Sequence, residues 1–78
     1  MSHSKLEKFA RMANQIGDAH ASLAAEQGAA AVASHIRKFW TPKMIAETLG
    51  ALDAQQIHLN DISAAGFAIL RKEFASAG

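Results

Sequence analysis

The sequence predicts an all-α fold, a small bundle of about four helices, and three observations favour this prediction. Eighteen of the 78 residues are alanine, the residue with the highest helix propensity. The β-branched residues Val, Ile and Thr, which favour strands, occupy only nine positions. The one proline, Pro42, lies between two apolar-periodic segments, where it can begin a helix. A chain of this length forms one domain, residues 1–78, and its ends at 1–3 and 76–78 are expected to fray.

The first helix has the clearest signals. Ser4 and Glu7 match a capping box, in which the serine hydroxyl accepts a hydrogen bond from a backbone amide of the first turn. Apolar residues then recur at three- and four-residue steps and build one stripe. The residues of this stripe are Leu6, Phe9, Ala13, Ile16 and Leu23. Gln27-Gly28 is the predicted end, because glycine readily adopts the left-handed conformation that follows many helices.

Two further helices are predicted on either side of residue 40. The second runs from about Ala29 to Phe39, and the third begins at Thr41-Pro42, since threonine caps helices and proline suits the first helical position. The third helix is predicted to run to roughly Ala51. The residues expected to face inward are Val32, Ile36 and Phe39 in the second helix and Ile45, Leu49 and Leu52 in the third.

The last helix is predicted to follow a loop over residues 53–59. Asn60 or Asp61 caps this helix, which runs to about Ala75. Its apolar residues cover an arc wider than a single core contact requires. These residues are Ile62, Phe67, Ile69, Leu70 and Phe74. Glu73 falls inside the arc, and the sequence offers no explanation for a charge there.

The composition restricts both the core and the function. Half of the residues are hydrophobic, but nearly half of those are alanine, so the core is thin for a free-standing domain. A permanent partner, or self-association of the isolated chain through the last helix, would add buried area. No cysteine is present, which excludes disulfides and thiolate metal sites. The net charge of +1 argues against nucleic acid as a partner, and no signal region or membrane span is recognisable, so the cytoplasm is the expected location.

The pattern of polar residues does not indicate catalysis. Neither an HxxxH nor an HExxH spacing, which would place two metal ligands on one helical face, occurs in the sequence. His20 lies along the apolar seam and is interpreted as a half-buried imidazole bonded to a carbonyl. A bundle of this size is also expected to leave little room for a pocket of roughly 300 Å³. We therefore expect no catalytic, cofactor-binding or metal-binding residue in this chain.

Residues 35–44 form the most informative run. On a helix the side chains of Phe39 and Trp40 diverge by about 100°, so with Phe39 inward Trp40 is expected at the rim, as a binding hot spot. The alternative is that Trp40 folds back over the end of the bundle and closes it. The residues of this run that we predict to bind a partner are His35, Arg37, Lys38, Trp40, Pro42, Lys43 and Met44.

A second unusual run covers residues 11–16. Asn14 and Gln15 are adjacent in mid-helix, although asparagine has a low helix propensity. They either belong to a plain solvated face or form hydrogen bonds with the backbone of a partner. With Arg11 they complete the predicted partner-binding set.

These two runs resemble a known family, the delta subunit of cytoplasmic, molybdenum- or tungsten-dependent, NAD-linked formate dehydrogenases. The similarity lies in M-A-N-Q-I at 12–16 and H-I-R-K-F-W-T-P-K-M at 35–44, and it covers about residues 8–50. The family often has Asp before the proline and Arg after it, whereas Thr41 and Lys43 stand here. A partner contact through that carboxylate would be lost.

The resemblance implies a non-catalytic accessory subunit that binds the catalytic (alpha) subunit of formate dehydrogenase and supports assembly or stability of the complex. Such a complex carries bis-molybdopterin guanine dinucleotide, iron–sulfur clusters, FMN and NAD, none of them bound by this subunit. Two alternatives stay open on the residues alone. One is a small helical DNA-binding or regulatory protein, with Ile36–Leu49 as a helix–turn–helix, and the other is a homo-oligomeric interaction module.

Overall fold

A computed structural model describes residues 4–77, with side chains described up to residue 75. Within this range the chain forms four helices and no strand, which confirms the all-α prediction. The helices are α1 (Lys5–Ala19), α2 (Ala25–Phe39), α3 (Pro42–Asp53) and α4 (Asp61–Ala77). The ends at which fraying is expected, 1–3 and 76–78, lie outside the residues that are described in full. None of the helices between residues 4 and 77 combines the length and hydropathy needed to cross a bilayer.

α1 begins as predicted but ends earlier. The Ser4 hydroxyl accepts a hydrogen bond from the amide of Glu7 at 3.1 Å, as the capping pattern indicates. The helix stops at Ala19, where the His20 amide bonds to the Gly17 carbonyl at 3.0 Å in a tightened last turn. Leu23, predicted to face inward, lies in the following link and is 41% exposed.

The predicted helix end at Gln27-Gly28 is wrong, because α2 already begins at Ala25 and passes through Gly28. This glycine is buried, and a Cβ added there would lie 3.4 Å from both the His20 carbonyl oxygen and a side-chain methyl of Ile62. The absence of a side chain therefore serves close packing. A left-handed turn does not explain it, since no described glycine has a positive φ.

The starts of α3 and α4 follow the local signals. The Thr41 hydroxyl accepts a hydrogen bond from the Met44 amide at 3.1 Å, and Pro42 is the first residue of α3. The Asn60 side-chain oxygen accepts from the Ser63 amide at 2.9 Å, so Asn60 is the residue that caps α4. The loop between them covers residues 54–60, close to the predicted 53–59.

α4 packs mainly against α2 and also contacts α1 and α3, which explains the width of its apolar arc. Phe67 and Leu70 are buried in the core, and the other apolar residues of the arc are half-buried. Self-association of the isolated chain stays a prediction, but the buried Phe67 and Leu70 of this arc cannot contribute to it. Glu73 accepts a hydrogen bond from Arg37 Nε at 3.0 Å, so the unexplained charge forms an ion pair between α4 and α2.

Candidate functional site

The aromatic pair at the end of α2 is oriented opposite to the prediction. Trp40 is only 6% exposed, and its ring centroid lies 5.6 Å from that of Phe9 and 5.8 Å from that of Phe67. Phe39 is 71% exposed. The two side chains do diverge as on a helix, but Trp40 takes the inward direction. Its amide donates to the Ile36 carbonyl at 2.8 Å, so Trp40 continues the buried stripe of Val32 and Ile36 at a four-residue step. Trp40 thus closes the bundle, as the alternative interpretation had it.

An open groove of about 500 Å³ lies beside this aromatic pair, and we name it the α1–α2 groove. Its α1 wall consists of Met12, Gln15, Ile16 and Ala19, with His20 just beyond the helix. Its other wall consists of His35 and Phe39 from α2, Trp40, and Met44 from α3. The prediction that the bundle leaves little room for a pocket is therefore wrong. Because α2 packs chiefly on α4, its edge with His35 and Phe39 stays uncovered.

The lining is mostly apolar and contains adaptable side chains. Met12 and Met44 are half-buried, and methionine fits irregular surfaces because it is unbranched and polarizable. The Phe39 ring lies 4.7 Å from the His35 ring, centroid to centroid, so these two exposed rings support each other. His20 Nδ1 is 2.9 Å from the Ile16 carbonyl oxygen, which confirms the interpretation of a half-buried imidazole bonded to a carbonyl. The groove thus offers an apolar surface with a few polar groups.

Three exposed lysines adjoin the lining residues in the sequence. Lys8 stands one helical turn before Met12, Lys38 precedes Phe39, and Lys43 precedes Met44. None of these three lysines forms an ion pair with another residue between 4 and 77. The ion pairs of this region join other residues, namely Lys5–Glu47, Arg37–Glu73 and Arg71–Asp53. The three lysines therefore remain available for carboxylates of another molecule.

Asn14, one of the predicted partner-binding residues, is used within the chain. Its Nδ2 donates to the His58 carbonyl at 3.2 Å, and its Oδ1 accepts from the Asn60 amide at 2.8 Å. The Asn60 side chain donates in return to the Asn14 carbonyl at 3.1 Å. Asn14 is therefore not part of a plain solvated face, because it clamps α1 to the loop before α4. Whether it also contacts a partner stays a prediction.

The other nine predicted partner-binding residues fall into three sets: four line the groove, two adjoin it and three do neither. Four of them line the α1–α2 groove together: Gln15, His35, Trp40 and Met44. Lys38 and Lys43 adjoin it, whereas Arg37 pairs with Glu73 of α4. Arg11 and Pro42 are exposed and do not line the groove. Whether these residues bind a partner stays a prediction.

Sequence reasoning missed five lining residues. Those residues are Met12, Ile16, Ala19, His20 and Phe39. The signal for α1 was available, since Met12, Gln15 and Ala19 recur at three- and four-residue steps beside the core stripe. Phe39 was missed because it was assigned to the core. No group of three or more His, Asp or Glu side chains that could hold a metal ion occurs in residues 4–75.

One family model matches this chain, over residues 8–66. The family is described as NADH-dependant formate dehydrogenase delta subunit FdsD. The match includes every lining residue of the α1–α2 groove and both members of the Asn14–Asn60 clamp. It also reaches beyond residue 50, to the first turns of α4. No curated protein and no solved structure matches the chain.

Proposed function

Because the chain belongs to the formate dehydrogenase delta subunit family, we propose that it is a non-catalytic accessory subunit of that enzyme. In this proposal it binds the molybdopterin-containing catalytic (alpha) subunit in the cytoplasm and supports assembly or stability of the complex. The observation that carries the proposal is the α1–α2 groove, which unites side chains from both runs that resemble the family.

The surface properties of the groove support a protein partner. A phenylalanine side chain contributes about 1.5–3 kcal/mol when it is fully removed from water, and Phe39 is left 71% exposed. Phenylalanine and methionine are both enriched at protein–protein interfaces relative to the rest of the surface. Burial of Phe39 against a second protein would therefore add hydrophobic free energy to the binding.

The cofactors of the complex belong, in this proposal, to other subunits. These are bis-molybdopterin guanine dinucleotide, iron–sulfur clusters, FMN and NAD. This chain has no cysteine and so cannot supply the thiolates that hold iron–sulfur clusters. Its contribution to activity would then lie in contacts with the subunit that carries the redox centres.

Co-purification tests the proposal directly. The affinity-tagged chain is expressed together with the formate dehydrogenase subunits of its own organism, and we expect the alpha subunit to co-purify in a fixed ratio. Deleting the chain should lower formate-dependent NAD reduction in the extract. If the alpha subunit does not co-purify, or if the extract keeps its full activity without the chain, the proposal is wrong.

A substitution at Phe39 tests whether the groove carries the binding. Phe39→Ala should weaken binding to the alpha subunit by about 2 kcal/mol or more, as loss of a hot-spot residue does, with little change in the thermal melting of the isolated chain. Leu23→Ala is the matched control, because Leu23 is the other large exposed apolar residue and lies outside the groove. Equal effects of the two substitutions on binding would contradict a role of the groove.

A further inference from the structure

We infer that the α1–α2 groove receives an amphipathic helix of the partner subunit that carries acidic side chains beside its apolar stripe. This inference rests on the proposed function and specifies the segment that the groove recognises. It follows from the backbone of the groove walls, from their apolar side chains, and from the charges beside them.

The backbone of the walls favours recognition through side chains. α1, α2 and α3 form both walls, and their peptide groups bond within each helix. The described residues contain no strand to whose edge an extended peptide could add. Peptides that bind between helices generally do so as amphipathic helices that lay an apolar face into the groove.

The apolar side chains favour a helix with an apolar stripe. Ile16 and Met12 lie on one wall, and Met44 and the exposed Phe39 ring lie on the other. Side chains at positions i, i+3 or i+4 and i+7 of a bound helix would meet both walls along its length. The two methionines can adjust to the shape of those side chains.

The charges beside the groove favour an acidic helix. Each of the three helices contributes one lysine without a carboxylate partner among residues 4–75: Lys8, Lys38 and Lys43. Two carboxylates stand nearest to lining residues in the sequence, and Glu47 is neutralised by its ion pair with Lys5 at 2.7 Å. Asp18 accepts a hydrogen bond from the neutral Asn60 amide at 3.2 Å and keeps its charge, so it offsets only one of the three lysines. Complementary charge on a partner would therefore be negative.

Site-specific crosslinking in the complex identifies the occupant. The photoreactive analogue p-benzoylphenylalanine replaces Phe39 in the full chain, co-expressed with the formate dehydrogenase subunits, and mass spectrometry locates the crosslink. We expect a segment of the alpha subunit in which Asp or Glu flank a helical apolar pattern, and no such crosslink when the analogue replaces Lys72 on α4. Crosslinks to a second copy of this chain, or to a segment without acidic residues, would overturn the inference. A complex that forms without any crosslink from position 39 would overturn it as well.

A titration then tests the charges. The crosslinked segment is synthesised as a labelled peptide, and its binding to the full chain is followed by fluorescence anisotropy and circular dichroism. We expect helix formation on binding, and at least tenfold weaker binding by the variant Lys8→Glu, Lys38→Glu, Lys43→Glu. Lys72→Glu is the control and should change the affinity less than twofold. Equal affinities of the triple variant and the wild type, or binding without helix formation, would overturn the inference.

The co-purification experiment separates this inference from the proposed function. If the alpha subunit co-purifies equally well with the wild type and with the triple lysine variant, the proposed function stands and the acidic-helix inference is wrong. If the alpha subunit does not co-purify with the wild type, both are wrong.

Discussion

Phe39 and Trp40 are neighbours in the chain but have opposite surroundings. Phe39 contacts the His35 ring and is otherwise open to water, whereas Trp40 is enclosed between Phe9 and Phe67. One side chain is therefore available to a partner, and the other supports the fold. Substitutions at these two positions should affect different measurements.

Trp40→Ala should destabilise the isolated chain by about 3–5 kcal/mol, because it removes a large buried side chain from the core. The free energy of unfolding of a small domain is only about 5–15 kcal/mol, so loss of helical circular dichroism at moderate temperature is expected. Trp40→Phe should retain most of the stability, since an aromatic ring remains between Phe9 and Phe67. An alanine variant that melts like the wild type would show that Trp40 is dispensable to the core.

Asn14→Ala should lower the free energy of unfolding by about 1–3 kcal/mol, because the Asn60 amide and the His58 carbonyl lose their partner. Gln15→Ala is the control. Gln15 is the exposed neighbour on the same helix, and its loss should change the stability by less than about 0.5 kcal/mol. Urea denaturation of the two variants measures the difference, and similar midpoints would contradict the role of the clamp.

Single residues were predictable where their contacts are local in sequence. His20 bonds the carbonyl four residues before it, and Ser4 and Thr41 bond amides three residues after them. Asn14 was not predictable, since its partner Asn60 lies 46 residues away. The orientation of Trp40 was predictable from helical periodicity, since Trp40 stands four residues after the buried Ile36, but Phe39 was assigned to that stripe instead.

At the scale of elements, glycine allows α2 and α4 to approach closely. A Cβ added to Gly66 would lie 2.8 Å from Val32 Cβ and 2.6 Å from its Cγ1, closer than side chains tolerate. Val32 is fully buried and cannot move aside without disturbing the core. The starts of α1, α3 and α4 were predicted from local capping residues, but the packing role of Gly28 and Gly66 depends on residues of other helices.

Gly66→Ala should therefore destabilise the chain. Overpacking should cost about 1–3 kcal/mol, and the higher helix propensity of alanine should offset part of that cost. Gly50→Ala provides the comparison, because Gly50 is also helical and a Cβ there would meet nothing within 4 Å. This second variant should be more stable than the wild type by roughly 0.5–1 kcal/mol. Thermal melts of the two variants measure the difference. A Gly66→Ala variant that is more stable than the wild type would show that α2 and α4 can move apart at little cost in free energy.

At the scale of the whole molecule, the largest exposed apolar side chain lies at the groove, among the residues described with side chains. The sequence predicted the number of helices, because this follows from composition and periodicity, whereas the need for a partner stays a prediction. It did not predict the α1–α2 groove, whose existence depends on how α2 packs against α4 and α1. It also assigned self-association to α4, whose apolar side chains the fold already uses.

We expect the isolated chain to be weakly stable and to self-associate through the groove when no partner is present. Its melting midpoint should then rise with protein concentration, because the stability of an oligomer is linked to the protomer concentration. Phe39→Asp should abolish this dependence by placing a charge in the apolar contact. A midpoint that is high and independent of concentration would show that the core suffices without a partner.

Because Trp40 is buried, its fluorescence can report on the state of the chain. Trp40 is the only tryptophan and the chain has no tyrosine, so the ultraviolet emission of the protein reports one site. The indole contacts Phe9 and Phe67 in the core, and Trp40 also lines the α1–α2 groove. Unfolding should shift its emission to the red as water reaches the ring. Occupation of the groove should change its intensity or its access to a soluble quencher, so folding and docking are both measurable without a label.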